Sequence, residues 1–166
     1  MPFRPDLVAI WIYRVVDPSR PDRIEVLLLR RAPARPLPGL WQCVTGSIEP
    51  GERVVDAALR ELAEETGIAG EAIEAFYDLD LVSQFHWPDV DGVLSEVVFA
   101  VRVGLGTEPV LSAEHDDMRW VEPPEAIRAS VWPSYREAIE RVATILPDPE
   151  RAAWLETGLD GRRRIG

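Results

Sequence analysis

Three glutamates, Glu61, Glu64 and Glu65, stand at i, i+3 and i+4 in a segment where Val55, Ala58, Leu59, Leu62 and Thr66 recur at helical spacing. On a helix those carboxylates share one face within about one turn of ~5.4 Å. A glutamate-rich face is ordinarily just solvated. Here no lysine follows at i+4 and only Arg60 precedes, so the like charges repel unless a cation sits among them. Crowded hard oxygen donors suit Mg²⁺ or Mn²⁺. Zinc is a poor fit, because His86 and His115 have no Cys or His partner at ligand spacing, and His115 reads as a loop-stabilising residue.

These groups need a scaffold, and the rest of the chain supplies one. Leu7 to Tyr13 and Ile24 to Leu29 are apolar on both alternating faces, the pattern of strands covered on two sides. Arg30 to Gly39 holds Pro33, Pro36 and Pro38 among arginines and reads as an exposed basic loop. Leu40 to Thr45 resumes strand character and stops at Gly46. The helix over Val54 to Thr66 ends at Gly67, where a left-handed C-cap is wanted. Leu79 to Trp87 and Leu94 to Val103 flank a turn at Pro88 to Gly92 and read as a hairpin. Met118 to Val121 is a last short strand, and Pro123-Pro124 opens a helical turn. Ser134 with Glu137 predicts a capping box for a second long helix carrying Tyr135, Ala138, Ile139, Val142 and Leu146 on one face. Past Pro147 the chain turns polar, with Trp154 and Leu155 placed to dock a short helix.

With 166 residues and 46% hydrophobic content, one domain with a real core is expected, and a second is not. No apolar run approaches the roughly 20 residues that span a bilayer, so no membrane partner is expected. The N-terminus lacks an apolar stretch behind a basic start, and the single Cys43 cannot form an internal disulfide; both fit a cytoplasmic protein. A formal net charge of −11 repels a nucleic-acid backbone, which argues against long DNA or RNA. A short polyphosphate remains compatible, since divalent cations held by carboxylates bridge two negative partners.

The segment Gly46 to Ile68 resembles the Nudix box: a glycine, five residues, a glutamate (Glu52), seven residues, Arg60-Glu61, an aliphatic (Leu62), any residue, Glu64-Glu65, any residue, Gly67 and an aliphatic (Ile68). Every specified position is matched. The resemblance implies the Nudix fold, an α/β/α sandwich with a mixed sheet, over residues 1–147, leaving 148–166 as a C-terminal tail. It also implies a Mg²⁺-dependent hydrolase, with Mn²⁺ able to substitute, that cleaves a phosphoanhydride bond of a small-molecule polyphosphate. Glu61, Glu64 and Glu65 would be metal ligands, Glu52 would help complete the site, and Arg60 would hold the carboxylates by ion pairing.

The likeness continues outside the box. Leu40 to Glu52, the Ser112-Ala-Glu114-His115 turn followed by Trp120, and the helix from Trp132 to Ile139 are similar to the bacterial dihydroneopterin triphosphate diphosphatases, which also hydrolyse deoxynucleoside triphosphates such as dATP and release pyrophosphate. That resemblance makes Glu114 a metal ligand or general base, in competition with Glu64 for the latter role. Arg30 and Arg4 are candidate phosphate clamps. Trp41, Thr45 and Gly46 are candidate contacts to the substrate, with Trp41 offering a stacking ring. The stretch Asp78 to Ser95 is shorter than its counterpart in that subfamily. NDP-sugars or dinucleotide polyphosphates are the alternative substrates. A Nudix-fold binding module without catalysis would be expected to lose box carboxylates, and all are kept.

Overall fold

Val8, Ile10 and Ile12 alternate with Ala9, Trp11 and Tyr13, so the first strand carries apolar side chains on both faces and belongs in the middle of a covered sheet. In the computed structural model, which describes residues 3–165, Leu7–Val15 (β1) takes that place. On one side it pairs in parallel with Gly92–Val103 (β6). Its other edge is shared. Leu7 to Ile10 pair antiparallel with Val44–Ser47 (β4), and Tyr13 to Val15 with Ile24–Arg31 (β2). Beyond β2 lie Trp41–Gln42 (β3) and His115–Val121 (β7), and beyond β6 lies Ile73–Trp87 (β5). The sheet is mixed, as expected.

Leu40 to Thr45, read above as one strand, is instead interrupted at Cys43: Trp41 pairs with Arg30 on β2, whereas Val44 pairs with Ile10 on β1. The chain steps between the two strands that share the edge of β1. Arg30 and Arg31 extend β2 beyond the expected end at Leu29, and the exposed proline loop begins after them.

Each face of the sheet has its own apolar layer. Val54–Thr66 (α1) sets Ala57, Ala58 and Leu62 against Val8, Ile10, Ile12, Phe76 and Phe99. On the opposite face Pro123–Ala129 (α2) and Pro133–Thr144 (α3) cover Trp11, Leu28 and Val98. Tyr135 of α3 meets Trp11 edge to face, ring centroids 5.5 Å apart. The Ser134–Glu137 capping box does not form. Pro133 occupies the first helical turn and Trp132 is the N-cap, so Ser134 is already inside the helix and caps nothing. Pro149–Leu155 (α4) docks through Ala152 and half-buried Leu155, while Trp154 points outward, 64% exposed.

The α3 face of the sheet also encloses a carboxyl group. Glu96 of β6 is 4% exposed, and burial raises its carboxyl pKa to about 7 against a lowering bond from Ser83. The folded chain therefore keeps a proton that the unfolded chain releases near 4.5. Stability falls as pH rises across that window. Thermal unfolding at about pH 5 and about pH 8 should show Glu96→Gln gaining on the wild type at the higher pH; a constant difference between the two proteins contradicts this assignment.

Candidate active site

The α1 helix starts after the loop that follows β4, and its C-terminus is closed by Gly67, whose φ of 70° is left-handed and whose N–H donates to the Ala63 carbonyl. Arg60 organises the exposed flank. Its Nε and Nη2 donate to the two Glu52 oxygens at 2.8 and 2.9 Å, a bidentate pair across the loop. Nη1 donates to Glu61 Oε1 at 2.6 Å and to Glu64 Oε2 at 3.4 Å, and Nη2 also reaches the Ser47 carbonyl at 2.9 Å. The Arg60 pairing and a hydrogen bond from the Glu49 amide hold the Glu52 carboxyl down at about 2. Arg4 donates to the Glu52 carbonyl oxygen, so this arginine is tied to the box loop.

Glu65 is in the opposite situation. It is 2% exposed, and neither carboxylate oxygen has a hydrogen-bond partner among the described residues, although the nearby Thr45 amide acts to lower its pKa. Burial, then the charges of Glu114 and Glu61, push its pKa up to about 9. His115 is the nearest candidate partner, with Nδ1 at 3.6 Å from Glu65 Oε2 and Nε2 at 3.3 Å from Gln42 Nε2. Burial lowers the His115 pKa, and Nδ1 has no hydrogen bond. Rather than stabilising a loop, as expected from its neighbours in sequence, His115 opens β7 and is buried against the site.

Gly46 lies within β4 and not at a turn beyond it, and its backbone is ordinary strand. What requires glycine there is close approach: a Cβ at position 46 would fall inside the Glu61 carboxylate. Glu61 is raised in pKa mainly by burial, opposed by Arg60.

Glu52, Arg60, Glu61, Glu64, Glu65 and Gly46 thus form one group, with Glu114 near enough for its charge to act on Glu61 and Glu65. Glu114 itself pairs with Arg35 at 3.4 Å. Among the described residues no three acidic, His or Cys side chains converge closely enough to hold an ion, and Arg60 pairs with both Glu61 and Glu64. The donor set nevertheless fits a hard divalent cation, since the buried Glu65 oxygens are unsatisfied and face further carboxylates.

The outer candidates lie on the opposite face of the sheet. Thr45 is half-buried on β4. Arg30 donates to Asp116 at 2.7 Å and lies 4.0 Å from Asp117, so its guanidinium is already paired. Trp41 is half-buried, with the guanidinium of Arg119 4.7 Å from its ring centre and that of Arg30 at 5.7 Å. Asp116, Asp117, Arg119 and Gln42 were not singled out from sequence. They reach the site through β7 and β3 pairing with β2, for which no local sequence pattern exists.

A NUDIX domain model matches residues 6–142. The chain belongs to the Nudix family. An RNA pyrophosphohydrolase from Dinoroseobacter shibae is 31% identical over 121 residues, covering 65% of this chain and 75% of that protein. The solved dihydroneopterin triphosphate pyrophosphohydrolase of Escherichia coli is 29% identical with a TM-score of 0.69, covering 84% of this chain and 95% of that one. An octanoyltransferase from Myxococcus xanthus is 37% identical over 125 residues, but the match spans 74% of this chain and only 33% of that protein.

Replacing Gly46 with alanine should leave strand β4 intact and move Glu61. We expect kcat to fall at least ~10-fold, by analogy with small displacements of other catalytic groups, with little change in melting temperature. Unchanged kcat in Gly46→Ala would remove Glu61 from the working site.

Proposed function

We propose that the box group catalyses divalent-metal-dependent hydrolysis of a phosphoanhydride bond in a small nucleoside-triphosphate-like substrate, dihydroneopterin triphosphate or a deoxynucleoside triphosphate, releasing pyrophosphate. The observation that carries this reading is the buried, unpartnered carboxylate of Glu65 beside Glu61 and Glu114, within a loop–helix unit fastened by Arg60. Glu61, Glu64, Glu65 and Glu114 would hold Mg²⁺ or Mn²⁺, which when bound neutralises phosphate charge and makes a water more acidic.

The protein's own residues divide the remaining work. Arg60 and Glu52 hold the loop against α1 and so keep Glu61 over Gly46. The proton of the attacking water goes to Glu64, which is exposed and held by Arg60 only at 3.4 Å, or to Glu114, held by Arg35 at the same distance. Arg4, beside the box loop, is the better placed phosphate clamp, since Arg30 must first leave Asp116. Trp41 and Thr45 would meet the head group across the sheet.

The likeness to an RNA pyrophosphohydrolase raises RNA as an alternative substrate. The net charge of −11 opposes a long RNA backbone, and a cytoplasmic small-molecule triphosphate is the better match. The test is a panel of dihydroneopterin triphosphate, deoxynucleoside triphosphates, NDP-sugars, dinucleotide polyphosphates and 5′-triphosphorylated RNA. Triphosphates should release pyrophosphate in Mg²⁺, and EDTA should abolish turnover. Undiminished turnover in EDTA overturns the metal chemistry, and cleavage of NDP-sugars, dinucleotides or RNA at least about tenfold faster overturns the substrate class.

A further inference from the structure

A buried carboxyl group without a cation is costly, and it persists where it has a ligand or another charge to meet. Glu96 is such a group, and it stands outside the box. Its neighbours in register are Leu7 on β1 and Ser83 on β5, and only the Ser83 side chain favours its charged form. It shares a sheet face with Val98 and Ala100, the face covered by α3. That cover begins at Tyr135, which together with Cys43 feels the charge of Glu96. Beyond the first turn of α3 the sheet face is only partly covered: Leu7, Thr45, Ser83 and Leu94 are half-buried, and Trp132 at the helix start is exposed. Cys43 and Trp41 belong to the same face. Across the strands, Glu96 lies in register with Leu7 of β1 and, beyond it, with Ser47 of β4, where the chain leaves the sheet for the loop that carries the box.

Building on the function proposed above, we propose that Glu96 selects the substrate head group, accepting two adjacent N–H donors from the 2-amino-4-oxopyrimidine edge shared by guanine and pterins. A carboxylate presents two acceptors side by side, and that edge presents a ring N–H beside an exocyclic amine. Adenine presents one donor and one acceptor, so its ring nitrogen would face a carboxylate lone pair. A site built for a hydrogen-bond pattern rejects the wrong pattern strongly, because buried groups are left unpaired. Glutamine at position 96 has one acceptor and one donor group and complements the adenine edge instead.

The deciding experiment is calorimetric binding of the non-hydrolysable α,β-methylene analogues of dGTP and dATP, with Mg²⁺, to the wild type and to Glu96→Gln. The melting temperatures of both proteins serve as the control for folding. The wild type should bind the dGTP analogue about tenfold or more tighter than the dATP analogue, and Glu96→Gln should lower that ratio at least about tenfold. A wild-type preference for the dATP analogue, a ratio unchanged by the substitution, or no binding of either analogue overturns the assignment. Turnover of the natural triphosphates, measured in parallel, separates the two readings. Selective binding without turnover leaves Glu96 as the selector and removes the hydrolase, whereas turnover with no effect at position 96 does the reverse. If Glu96→Gln unfolds, Glu96→Asp, which keeps the acceptor pair on a shorter stem, is measured in its place and should retain the direction of preference with weaker binding.

Discussion

The burial of one negative charge shapes this site. Glu65 sits in the most enclosed part of α1's functional face, and none of the donors nearby is spent on it: Arg60 bonds Glu52, Glu61 and Glu64, and His115 stops at 3.6 Å. Moving an unpaired carboxylate out of water costs several kcal/mol even after relaxation, on the order of what a small domain has to spare. In the metal-free state the group relieves that cost by holding its proton, which is the meaning of a pKa near 9. A divalent cation bound there, as proposed, would relieve it differently, by letting Glu65 ionise.

The fold explains how such a group stays in place. The inward face of α1 buries Ala57, Ala58 and Leu62 in the layer beneath it, so the helix cannot turn to expose Glu65. On the sheet side, β1 pairs with β4 along its first half and with β2 along its second, which brings the box loop and the Arg30–Trp41 pair to neighbouring edges of one strand. The loop before α1 is held down by the bidentate Arg60–Glu52 pair, and the C-terminal end of the helix by Ser112 N–H donating to the Glu65 carbonyl at 3.2 Å. The box carboxylates on one face and the Arg30–Trp41 pair on the other are thus held by a single rigid strand.

Much of this was legible in the sequence where the signal is periodic or local. The 3.6-residue repeat and Gly67 specify α1 and the doubled apolar alternation specifies a central β1, while the pairing of Arg60 with the box carboxylates was implied by the Nudix resemblance alone. Several features were misread, some because the competing physics is local and overrides a pattern. Pro133 takes the helix start from Ser134, the step between strands breaks Leu40 to Thr45, and Gly46 serves a close approach instead of a turn. Others had no sequence signal. A glutamate on a charged helix face looks solvated, yet Glu65 is enclosed by β7, which begins 50 residues later at His115. Arg30 and Arg119 meet Asp116 and Trp41 only through strand pairing.

The account rests on Glu65 being a cation site, and Mn²⁺ binding to the substrate-free protein, followed by the loss of the free-ion EPR signal, tests this directly. The wild type should bind Mn²⁺ saturably, and Glu65→Gln, which keeps the side chain's size and removes its charge, should lose that binding while remaining folded and, without metal, melting no lower than the wild type. Equal Mn²⁺ affinity in the two proteins would contradict the account, because the buried carboxylate would then have no part in holding the ion.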